Sequence, residues 1–225
     1  MEVWPLERIT IITGHFGSGK SEISINLAKK MNREGHKVAL VDLDIVNPFF
    51  CIRDFKETLG KEGIDVIAAN PEWSNAELMM VPAEVSGIFV KRDTSYIMDI
   101  GGDDMGAVVL GQYNGELLKT GYNLFFVINT QRPMTPDEKG IKEYIEGIER
   151  SARLKVTHLI SNTNLSLETT VEEILKGDQI VSELSKELGI PHLYTVARED
   201  LAGELEGKLN GELLPIEIFM KTPWS

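Results

Sequence analysis

The chain has 225 residues, 42% of them apolar and 26% charged, the balance expected of a globular protein large enough to bury a substantial core. A formal net charge of -12 and an isoelectric point near 4.9 repel phosphate backbones and anionic lipid headgroups, so neither nucleic acid nor a membrane surface is an expected partner. One cysteine, Cys51, excludes an internal disulfide and a paired-cysteine metal site and suits a reducing, cytoplasmic compartment. No run of about 18 apolar residues reads as a membrane span, and a start bearing Glu2, Pro5 and Glu7 does not read as a signal peptide.

Short apolar runs alternate with amphipathic stretches of helical length, the pattern of repeated βαβ units. The expected fold is α/β, a mostly parallel β-sheet flanked by helices on both faces, in a single domain spanning residues 1–225. In chain order, a strand is predicted over Ile9 to Thr13 and a helix over Ser21 to Arg33, stopped by Gly35. Strands follow at Lys37 to Asp42, Asp65 to Ala69, Tyr96 to Ile100 and Leu124 to Asn129. The stretch from Asn70 to Thr94, broken by Pro71, Pro82 and Gly87, reads as a crossover or a lid. Next come a helix over Pro136 to Arg153, a strand over Thr157 to Asn162 and a helix over Val171 to Leu188 that stops at Gly189. A seventh strand over His192 to Ala197 and a helix over Asp200 to Leu209 complete the order, with the three tryptophans, Trp4, Trp73 and Trp224, read as packing residues and Trp73 also as a partner contact.

Between the first strand and the first helix stands Gly14-His15-Phe16-Gly17-Ser18-Gly19-Lys20-Ser21, a complete G-x-x-x-x-G-K-[ST] in the context that motif requires. Its glycines let backbone N–H groups curl around an anion, and the helix N-terminus adds partial positive charge. Residues Gly14 through Glu22 are therefore assigned to a bound nucleotide. Within them Lys20 is assigned to the β- and γ-phosphates and the Ser21 hydroxyl to Mg²⁺. Two later strands end in carboxylates, Asp42-Leu43-Asp44 and Asp99-Ile100-Gly101-Gly102-Asp103. Ligands of open parallel sheets bind outside the carboxyl ends of the strands, so Asp44 and Asp99 can converge on the metal and the γ-phosphate. Asp99 is read as a magnesium carboxylate and Asp44 as the group that orients an attacking water. The alternative, that these aspartates only cap strand-end turns, stays open at this point. His36, His158 and His192 lack the spacing of a zinc site.

Together these three segments resemble the MinD/ParA and nitrogenase iron protein group of P-loop ATPases. Gly17, Gly19, Lys20 and Ser21 match that group's phosphate loop, Asp42 and Asp44 its first switch, and Asp99, Gly102 and Asp103 its second. The resemblance implies an ATP- and Mg²⁺-dependent ATPase switch that dimerises around nucleotide. His15 stands where the group has a signature lysine that reaches across the dimer, so that contact is missing or passes to an imidazole. Asp104, Met105, Gly106 and Ala107 offer no cluster-ligating cysteine, which excludes an iron-sulfur electron carrier. The tail from Leu213 to Ser225 lacks the basic amphipathic helix of membrane-cycling relatives. By the same resemblance Asn162 pairs with the adenine edge and Arg198 covers the base. Thr163 and Leu165 stand where N-K-x-D would have Lys and Asp, which favours ATP over GTP.

Three functions follow from this reading. The first is an ATPase switch acting on a protein partner in maturation or positioning. The second is a small-molecule kinase or ligase resembling dethiobiotin synthetase, with residues Asn47 to Arg53 or Glu72 to Met80 lining its pocket. The third is a nucleotide sensor without turnover. Arg132, at another strand end, is read as a solvated arginine or local cap, with phosphate or partner contact as the alternative.

Overall fold

The computed structural model describes residues 7–44, 51–68, 84–102, 104–132 and 138–220. Trp4, Trp73, Trp224, Asp103 and most of the crossover predicted from Asn70 lie outside these residues, as do residues 45–50.

Eight strands form one sheet: β1 (Ile9–Gly14), β2 (Val38–Leu43), β3 (Asp65–Ala68), β4 (Ser95–Ile100), β5 (Asn123–Ile128), β6 (His158–Ser161), β7 (His192–Arg198) and β8 (Glu212–Ile216). Their order is β3-β2-β4-β1-β5-β6-β7-β8 and every pairing is parallel. The helices among the described residues are α1 (Lys20–Arg33), α2 (Lys56–Lys61), α3 (Glu84–Gly87), α4 (Asp104–Gln112), α5 (Asn114–Thr120), α6 (Glu138–Ala152), α7 (Val171–Leu188) and α8 (Glu199–Leu205).

Alternation along each strand sorts the side chains into two cores. On one face Ile9, Ile11, Val41, Met98 and Phe126 pack against α4, α5, α6 and α7. On the other, Ile12, Leu40, Ile97 and Phe125 pack against α1 and α2. Helix α6 buries Ile141, Ile145, Ile148 and Ala152, the three- and four-residue spacing that fixes one helical stripe against a sheet. Helix α7 begins with a capping box between Thr170 and Glu173 and ends at Gly189, whose φ of 67° is the left-handed conformation that glycine adopts without strain.

Three differences from the predicted elements have physical causes. An eighth strand, β8, stands beyond the seven expected, with Pro215 within it. At the sheet edge its missing N–H costs no ladder bond, and the strand stands beside β7 with Ala197 opposite Pro215. Helices α4 and α5 carry Gly106, Gly111 and Gly115, which lower helix propensity, yet Val109, Leu110 and Leu117 are buried in the core and hold them. The last predicted helix ends four residues early, at Leu205, before a turn in which Gly207 has a φ of 72°.

The strand order places β1 centrally, with β4 on one side and β5 on the other. Chain leaving β1 therefore emerges between two carboxyl ends, the crevice in which open α/β sheets bind ligands.

Candidate functional site

Strand β1 turns into the glycine loop at Gly14, where a β-carbon would stand 2.4 Å from the Val127 carbonyl oxygen. Gly17 and Gly19 have φ values of 73° and 90°, and the Ser18 N–H donates to the His15 carbonyl at 3.1 Å. Lys20 is buried, and its ammonium folds back to the His15 carbonyl at 3.4 Å. Beneath the loop the Ser21 hydroxyl donates to Asp99 at 2.5 Å. Asp99 is fully buried, and its other carboxylate oxygen has no hydrogen-bond partner among the described residues, as is also true of the buried Ser18 hydroxyl. Burial pushes the Asp99 carboxyl up to about 7, with Asp42 and Asp44 adding to the rise, against Lys20 and the Ser21 bond, which lower it. An unpaired carboxylate oxygen beside a serine hydroxyl, under a loop that side chains at Gly14 or Gly19 would obstruct, fits a polyphosphate with a divalent cation.

Sheet register assembles the rest. Asp42 lies directly across from Asp99 in the β2–β4 pairing, so the pleat turns both carboxylates toward α1 while Leu43 enters the opposite core. Asp44, 8% exposed, follows on the Asp42 side. Asp42 has a role that its spacing did not reveal: its carboxylate accepts the Asp44 N–H at 3.3 Å and the Arg53 N–H at 3.2 Å. It thereby ties Asp44 to Arg53. Burial raises its carboxyl above the usual range, with Arg53 opposing. Gly102 closes the site from β4, where a β-carbon would sit 1.9 Å from the Gly14 carbonyl oxygen.

Asn162 reaches the loop from β6, and its amide donates to the Ser18 carbonyl at 2.7 Å. A β-carbon on Gly19 would lie 2.3 Å from that amide nitrogen. Asn162 therefore supports the loop directly. It also lines a small cavity of about 10 Å³ together with Thr163, Val196, Ala197 and Arg198. The Arg198 guanidinium is held there by Asp200 at 2.7 and 2.9 Å and by the Ser166 carbonyl at 3.0 Å.

Three loop neighbours stand differently from the sequence expectation. Glu22 follows the loop, but its carboxylate accepts the backbone N–H groups of Phe219 and Met220, holding the C-terminal segment against α1. One residue around a helix is about 100°, so a side chain next to Ser21 in sequence faces elsewhere. His15 packs its ring on Tyr144 of α6, with centroids 4.9 Å apart, rather than projecting outward. Phe16 projects instead, 74% exposed. Asn129 was visible only as a strand end. Its side chain accepts from Gln131 and Asn164 and donates to the Asn164 carbonyl, latching the ends of β5 and β6 together.

His158 and His192 are both depressed by burial, and among the described residues no group of three or more His, Cys, Asp or Glu side chains is arranged to hold a metal. No helix among them is long and apolar enough to cross a membrane.

Residues 9–190 match the family model described as the CobQ/CobB/MinD/ParA nucleotide binding domain. Among curated proteins, the chain is 35% identical over 65 residues to a cytosolic Fe-S cluster assembly factor Nubp2 homolog of Drosophila ananassae, covering 29% of this chain and 23% of that one. It is 31% identical over 93 residues to the NUBP2 homolog of Culex quinquefasciatus (40% and 34%) and 38% identical over 68 residues to an iron-sulfur cluster carrier protein of Rickettsia bellii (28% and 21%). The matched segments thus span at most about a third of these relatives' length. Among solved structures, FtsY of Mycoplasma mycoides superposes with a TM-score of 0.55 at 16% identity, over 82% of this chain and 58% of that one. FtsY of Thermotoga maritima gives 0.55 at 19% identity, over 86% and 63%. These two likenesses are of fold.

Proposed function

The chain belongs to the CobQ/CobB/MinD/ParA nucleotide-binding domain family, and from that premise we propose that it is a Mg²⁺-dependent ATPase switch acting on a protein partner in a maturation task. The observation that carries the reading is the Ser21–Asp99 hydrogen bond beneath the glycine loop, with the second Asp99 oxygen left unpaired. Ser21 and Asp99 would hold the metal, and Lys20 would turn from the His15 carbonyl to the β- and γ-phosphates. Magnesium, when bound, neutralises phosphate charge. Asp44 lies beside these groups and would orient the attacking water.

Asn162 supports adenine as the base. One amide hydrogen is used on the Ser18 carbonyl, which leaves the other and the carbonyl oxygen for a base edge. The cavity beside it must widen to admit a purine, which would require Arg198 to shift from Asp200 or Ser166. The names of the insect and Rickettsia relatives support a metallocentre-related task in the cytosol. The single cysteine, buried beside Arg53, cannot supply the set of thiolates that an iron-sulfur cluster takes, so this chain acts as the switch and its partner carries the cluster.

Calorimetric titration with ATP and GTP, with and without Mg²⁺, followed by phosphate-release assays, tests this reading. ATP is expected to bind more tightly than GTP and to yield free phosphate without an acceptor. Lys20→Ala is expected to cost about 2 kcal/mol of triphosphate affinity, roughly thirtyfold, because a charge-assisted contact is lost. Unchanged affinity in this variant would mean that the loop is not the phosphate site.

Nucleotide is also expected to promote a homodimer. With His15 turned toward Tyr144, Phe16 is the exposed side chain of the loop and would be the one to meet a second copy. Sedimentation with and without a non-hydrolysable ATP analogue checks this, and a monomer under both conditions would favour a switch that works without self-association.

A further inference from the structure

We propose that Arg132 reads the terminal phosphate of the bound nucleotide, in cis, and so sets the preference for triphosphate over diphosphate; this rests on the nucleotide site proposed above. Arg132 follows β5 by four residues, just beyond the turn that Asn129 latches through the Gln131 N–H at 3.0 Å. From there its side chain crosses to the glycine loop, and its Nε donates to the Gly17 carbonyl at 3.2 Å. The contact is close: a β-carbon on Gly17 would lie 3.3 Å from Nε and 3.6 Å from the guanidinium carbon. Gly17 thereby serves two ends, a positive φ for the loop and room for the arginine.

Only Nε is spent on this bond. The two terminal nitrogens remain at the exposed rim, and no carboxylate among the described residues pairs with them. Arg33 and Arg198 pair with Glu217 and Asp200, whereas Arg132, like Arg8 and Arg153, is bound through a backbone carbonyl. Lys20 approaches the loop from the buried side, and His15 faces Tyr144. Arg132 supplies positive charge at the solvent side of the same loop. A guanidinium fork matches phosphate oxygens and stays charged at any working pH. Its attraction scales with the charge at the end of the polyphosphate, so a diphosphate gains less from it than a triphosphate does.

The test compares binding of a Mg²⁺-complexed non-hydrolysable ATP analogue and of ADP to wild type, Arg132→Gln and Arg132→Ala. Melting of each protein without ligand monitors the fold. Both variants are expected to melt like wild type, to bind the triphosphate analogue roughly tenfold more weakly and to keep their ADP affinity, since one charge-assisted contact is removed from the triphosphate alone. Equal losses for both nucleotides would overturn the proposal and leave Arg132 as a support for the loop. Unchanged affinity for both would overturn it as well, with the nucleotide site intact. Failure of wild type to bind either nucleotide would instead remove the site reading on which the inference stands.

Discussion

Asp44→Asn is expected to leave nucleotide affinity near wild type and to slow single-turnover hydrolysis by roughly 10²-fold or more, because the amide keeps the shape of the side chain but cannot accept a proton comparably. Asp44 lies at the end of β2, with its N–H held by Asp42, so the substitution retains the backbone anchor and changes one charge. Positioning water is much of what remains for a protein to do once phosphate and metal are held. Loss of the Asp44 charge also relieves one of the causes that raise the Asp99 carboxyl, so Asp99 ionises more readily in the variant. If Asp44 instead ligates the metal, Mg²⁺-dependent affinity falls together with the rate. If it only caps a turn, neither moves. A titration and a single-turnover assay on this variant separate the three roles, and unimpaired turnover would remove Asp44 from the chemistry.

Asp178→Ala is expected to destabilise the fold by about 3 kcal/mol or more, because a buried carboxylate and the donors it satisfies are separated at once. Asp178 is 1% exposed on α7. It accepts the Thr195 hydroxyl at 2.5 Å, the Asn210 N–H and amide at 2.9 and 2.7 Å, and the Gly211 N–H at 3.2 Å. One side chain thus ties α7 to β7 and to the turn before β8. For a chain of this length each kcal/mol shifts the melting temperature by about 2–4 °C, so a drop of about 10 °C is the expected scale. Burial pushes the carboxyl up, but the bonds from Thr195, Asn210 and Gly211 outweigh it and hold it below the usual 3.8. The unfolded chain therefore binds more protons, and the stability due to Asp178 is present above pH 3.8 and lost as pH falls through the lower folded value. His192, 3.9 Å from Asp178, is depressed below 6.5 by burial and acts in the same direction, since acid charges it more readily in the unfolded chain. Denaturant titrations at neutral pH and around and below pH 3.8 check the Asp178 contribution: the variant must be weaker at neutral pH and show a shallower decline through the carboxylate range. Equal stability at neutral pH would mean that water satisfies the four donors as well as Asp178 does.

Elements whose requirements are local can be read from the residues alone. A glycine pattern between an apolar strand and a helix specifies a loop that only small residues can form, and alternating runs specify a parallel sheet. That Asp44 and Asp99 stand near each other follows from strand ends in such a sheet facing one crevice. Asp42 was legible as an acidic position, but its work as a clamp on Arg53 depends on a backbone N–H 11 residues away. Contacts between distant partners emerge only once the chain is folded. Glu22 meets Phe219 and Met220, Arg132 meets Gly17, and Asp178 meets Asn210, across separations of 197, 198, 115 and 32 residues. No period or motif encodes such pairings, because they follow from strand order and from the direction in which each helix turns its side chains. The edge strand β8 belongs with them: Pro215 argues against a strand until its place at the end of the sheet shows that no ladder bond is lost.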